Sequence, residues 1–77
     1  MKFYIKHSMT GRLRVHMDMK HMSFKQADIL EYYIKNIETV TSVKVYEKTC
    51  DAVIEFKGNK AQIINELKHF TYSQVAV

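Results

Sequence analysis

The chain has 77 residues, with 12 lysines and arginines against 8 aspartates and glutamates, for a formal net charge of +4. That length makes a single domain, residues 1–77, whose core is small because so short a chain buries only about 60% of its unfolded surface. Cys50 stands alone, which excludes an internal disulfide, and the basic residues are interspersed with acidic ones, which argues against a dedicated nucleic-acid patch.

Phe3 and Ile5 alternate with polar neighbours, Ser8-Met9-Thr10-Gly11 breaks the pattern, and Leu13, Val15 and Met17 resume it. This predicts a first strand in two parts, with a bulge or tight bend at the glycine. His16, Met17, Met19, His21 and Met22 then crowd into seven positions. Ser23 follows, with Gln26 three residues on, a capping box opening a helix over about 24–37. Ala27, Leu30, Tyr33, Ile34 and Ile37 make its buried stripe. Val43 and Val45 begin a second strand, Ala52, Ile54 and Phe56 mark a third, and Lys48-Thr49-Cys50-Asp51 is read as the hairpin between them. Gly58-Asn59 ends that strand and caps a second helix over about 59–70, buried through Ile63, Ile64, Leu67 and Phe70. Tyr72 to Val77 reads as a short final strand.

The order β-α-β-β-α-β predicts an α+β, ferredoxin-like sandwich: two helices on one face of a four-stranded antiparallel sheet. No stretch approaches the ~18–20 apolar residues of a membrane span, and the first residues lack the apolar core of a signal peptide. The isolated domain is expected to be soluble and intracellular.

With these elements in place, Gly11-Arg12-Leu13-Arg14-Val15, Val40-Thr41-Ser42-Val43-Lys44-Val45 and Asp51-Ala52-Val53-Ile54-Glu55-Phe56 resemble the strands of heavy-metal-associated domains. Those domains lie at the cytoplasmic N-terminus of metal-transporting P-type ATPases. The chain is most similar to a divergent branch that opens with a Gly-Arg-x-Arg strand and lacks the family's GMxCxxC metal motif. The resemblance implies a fragment of a larger membrane transporter, held at the cytoplasmic face of the membrane. It implies a regulatory or metal-sensing type of domain, with the parent's other domains as partners and metal binding weak or lost. The membrane would be reached only through the parent chain. Catalytic residues of a cation-translocating ATPase would lie outside these residues; the chain itself shows no enzyme constellation, neither a GxGxxG, a GxxxxGK[ST] nor the DKTG phosphorylation motif.

Thioether, imidazole and thiolate groups suit Cu(I) or Zn(II), so His16, Met19, His21 and Met22 are the candidate metal ligands in the loop. In this topology the hairpin holding Cys50 and the end of the second helix, with His69, lie at the same end of the sheet, which adds both residues to the set. The ordinary readings are a structural loop, with Met17 turned inward by strand parity, and a small exposed cysteine. No cofactor is required. Arg12, Arg14, Lys44 and Lys48 are expected on the outer sheet face with Glu55 placed to pair, and Tyr46 as the only ring there, too few for RNA stacking. A free-standing soft-metal chaperone using the His/Met loop is the alternative function, and a small nucleic-acid-binding module of the same fold a second.

Overall fold

A computed structural model describes residues 1–72. Two hairpins, each followed by a helix, give β1 (Phe3–Met9), β2 (Arg12–Met17), α1 (Phe24–Lys35), β3 (Val40–Tyr46), β4 (Asp51–Phe56) and α2 (Ala61–His69). The strands form one antiparallel sheet in the order β1-β2-β4-β3. The expected class holds, a four-stranded antiparallel sheet with two helices on one face, but the element order among the described residues is β-β-α-β-β-α rather than β-α-β-β-α-β.

The correction lies at Gly11. The expected two-part first strand is two strands, because Met9 pairs with Arg12 and leaves Thr10-Gly11 as a two-residue loop. Gly11 takes φ +78°, a left-handed conformation that costs glycine nothing and suits the third position of a type II turn. β1 therefore folds back along β2 and occupies the sheet edge where a β-α-β-β-α-β chain would place its last strand. That last strand was expected over 72–77: Tyr72 has 3₁₀ conformation, and 73–77 lie outside the described residues.

Strand parity builds the core. Leu13, Val15 and Met17 of β2 and Ala52, Ile54 and Phe56 of β4 point to the helices and are almost wholly buried. They meet Ala27, Leu30 and Ile34 of α1 and Ile63 and Leu67 of α2. α1 opens as its sequence predicts: the Gln26 amide donates to Ser23 Oγ at 3.0 Å and the Ser23 amide donates to Gln26 Oε1 at 2.9 Å. At α2 the cap residue is Lys60, but Asn59 Oδ1 still accepts from the Ala61 amide at 2.8 Å. At the far end of α2, the Met1 amino group donates to the carbonyls of Lys68 and Phe70 at 3.1 and 3.0 Å. A positive charge there complements the helix dipole and ties the start of β1 to the end of α2.

Two acidic residues on the helices are half-buried. Glu31 accepts from the Val45 amide at 3.1 Å and makes no ion pair with Lys35. Glu66 accepts from the Tyr33 hydroxyl at 2.9 Å, and burial with that carboxylate pushes the Tyr33 phenol up.

Candidate functional site

The Asp18–Ser23 loop leaves β2 beside the β3–β4 hairpin, as the topology predicts: the Met17 amide donates to the Cys50 carbonyl at 2.8 Å. The end of the sheet thus gathers Met17, Met19, Met22 and Cys50, but it does not aim them at one point. Met22 and Cys50 are 4% and 3% exposed and belong to the hydrophobic core, with Met17 fully buried beside them and Met19 packed against it. Flexible thioethers fill the gap between sheet and helix, which is the structural reading of this loop.

Cys50 is the less expected of these. It closes the four-residue Glu47–Cys50 loop with φ +60°, a left-handed conformation uncommon outside glycine, and its side chain turns inward. Burial pushes its thiol up, the neighbouring Asp51 charge adds to this, and the Sγ–H points to the Glu47 carbonyl at 3.8 Å. At neutral pH the buried thiol is protonated.

The imidazoles diverge. His21 is exposed on the loop. His69, exposed on the last turn of α2, uses Nδ1 on the Asn65 carbonyl at 2.8 Å. His16 points to the opposite face of the sheet, where Nδ1 donates to Asp51 Oδ1 at 2.7 Å and the ring lies 5.0 Å from that of Tyr4. Among the described residues no group of three or more His, Cys, Asp or Glu side chains converges in a way that would hold a metal ion.

The organised chemistry lies on that open face, around a residue read from sequence as part of a turn. Asp51 is the first residue of β4 and its side chain is fully buried. Besides His16, its carboxylate accepts from Lys6 Nζ at 3.1 Å and from Arg14 Nε and Nη2 at 3.2 and 3.0 Å. Three strands supply these partners. Lys6 comes from the bulge between Ile5 and His7 of β1, Arg14 and His16 from β2, and Asp51 from β4. Burial alone would push the Asp51 carboxyl up, but the hydrogen bonds from His16, Lys6 and Arg14, with the Lys6 charge, outweigh it and bring it down to about 2.

Around this hub the face carries Arg12 and Lys44 as expected, while Lys48 sits in the hairpin loop. Arg12 stands opposite Glu55 in register, but no ion pair joins them; among the described residues every salt bridge ends on Asp51. Tyr46 is joined on this face by Tyr4, which pairs in register with His16. The alternation about Phe3 and Ile5 already placed Tyr4 on the polar side of β1; that β1 is a separate strand at the sheet edge was the missing signal.

The described helices include none long and apolar enough to cross a membrane. Comparison of the chain with protein-family models, curated proteins and solved structures finds no match.

Proposed function

We propose that this chain is a cytosolic, N-terminal regulatory domain of the metal-sensing type from a heavy-metal-translocating P-type ATPase, in which metal binding is weak or lost. The strands that resemble those of heavy-metal-associated domains support the reading, together with their placement: Gly11–Val15 opens the central strand β2, whose end meets the loop before α1. The observation that carries it is the fate of that loop. Its position suits ion capture beside the Cys50 hairpin, yet Met17, Met22 and Cys50 are spent on the core and His16 on Asp51. A soft-metal chaperone needs donors that a partner can reach and exchange, which disfavours the free-standing carrier. The domain then acts through its surface, on the parent's other domains. Sequencing of the gene beyond the codon for Val77 tests this. Apolar segments of about 20 residues and a downstream Asp-Lys-Thr-Gly motif are expected; a reading frame without them would contradict the assignment.

A further inference from the structure

Half of the chain's net charge of +4 lies on one face of the sheet. Lys25 and Lys35 on α1 are balanced by Asp28 and Glu31, and Lys68 on α2 by Glu66. The open sheet face instead presents Lys6, Arg12, Arg14 and Lys44 against two carboxylates, Glu55 and the fully buried Asp51. Solvent therefore meets the cations: the Lys6 and Arg14 side chains are 41% and 43% exposed above the carboxylate that orders them. Arg12 and Lys44 are exposed and form no ion pair among the described residues.

The tyrosine rings on this face stand at its margins, while the His16 imidazole on central β2 is held by Asp51. Tyr4, 57% exposed, is on the edge strand β1, and Tyr46, 43% exposed, is on the opposite edge strand β3; Met9, 54% exposed, lies near the turn that ends β1. The central strands present Arg14 and Val53, which line a shallow hollow with His7, Met9 and Arg12. This layout is the reverse of a protein–protein interface, which places apolar and aromatic groups at the centre and charge at the rim. It is also the reverse of a sheet that reads single-stranded RNA, where rings on the central strands stack the bases. A cationic face with tyrosines at its rim suits a layer of anionic headgroups, where basic residues are attracted to surface charge and tyrosine rings settle at the boundary of the acyl region.

We propose that the open face of the sheet docks on anionic phospholipid headgroups. Arg12 and Lys44 are the free cations, Lys6 and Arg14 the pair held in place by Asp51, and Tyr4 and Tyr46 the flanking rings. The domain would thus lie with its sheet against the membrane and its helices turned away. The setting beside a membrane rests on the function proposed above. The face itself is open to direct test, so a lack of lipid affinity would leave the transporter assignment standing, and a frame without transporter segments would leave a measured lipid affinity standing.

Flotation of the 77-residue chain with vesicles of phosphatidylcholine, and of phosphatidylcholine with about 30 mol% phosphatidylserine, tests the proposal. Partition onto the anionic vesicles should exceed that onto the neutral ones by roughly tenfold, and the excess should vanish at roughly 0.5 M salt. The double variant Arg12→Glu/Lys44→Glu, outside the Asp51 network, should lose about tenfold in partition with an unchanged circular dichroism spectrum. Lys25→Glu/Lys35→Glu on α1 makes the same charge change on the other side of the molecule and should leave partition within about twofold. Equal partition onto both vesicle types would overturn the proposal, as would equal losses from the two double variants. Tighter binding of a single-stranded RNA oligonucleotide than of anionic vesicles, at matched salt, would assign the face to nucleic acid instead.

Discussion

Among the described residues every salt bridge ends on Asp51, where three strands converge on one buried carboxylate. Its ionised form is favoured in the folded state, where the carboxyl lies at about 2, against an ordinary value of 3.8. The sign follows: the stabilisation is full above the unfolded value, at neutral pH, and is lost as pH falls through about 4 towards 2. Asp51→Asn should cost about 2 kcal/mol at neutral pH, discounted because Lys6 and Arg14 can rehydrate when released. Urea midpoints at pH 7 and below pH 4 measure this; the variant should lose much of the wild-type acid dependence, and an unchanged acid slope would remove the hub from the account. Cys50 makes the complementary case. Burial and the raised thiol predict slow reaction with a thiol-specific reagent in the folded domain, by about a hundredfold against the urea-unfolded chain. A rapid native-state reaction would mean that the hairpin opens to solvent.

Elements differ in how plainly their residues announce them. Both helices were legible, since three- and four-residue steps of apolar side chains and a Ser23–Gln26 box are local signals. Ser23→Ala should therefore lower stability by about 0.5–2 kcal/mol, read as a shift in the denaturation midpoint. No shift would mean that the reciprocal bonds at the start of α1 contribute nothing. The break at Gly11 was legible as a break but not as a hairpin, because a glycine that interrupts alternation fits either a bulge or a two-residue loop. Only the pairing of Phe3–Met9 with Arg12–Met17 decides between them. Register hid the Asp51 hub for the same reason. Lys6 lies 45 residues from Asp51 and Arg14 lies 37, so no local pattern links them, and the bulge at Ile5/His7 that frees Lys6 leaves no signature of its own.

At the scale of the whole molecule, two hairpins and two helices make a domain with two unlike surfaces. One end of the sheet collects sulfur and buries it; the open face collects charge and orders it around Asp51. Proximity of the loop, Cys50 and the end of α2 was legible from topology, whereas the directions of their side chains were not. The inward turn of Cys50 depends on a left-handed hairpin residue, and that of Met22 on the packing of α1. Met17, Met22 and Cys50 serve the core. Titration of the domain with Zn(II), and with Cu(I) under reducing conditions, followed by NMR, shows whether these donors also take an ion. Weak, fast-exchange shifts confined to the exposed groups at His21, His69 and the rim of the loop are expected, with no change of fold. Stoichiometric, slow-exchange binding centred on His16, Met19, Met22 and Cys50 would contradict this.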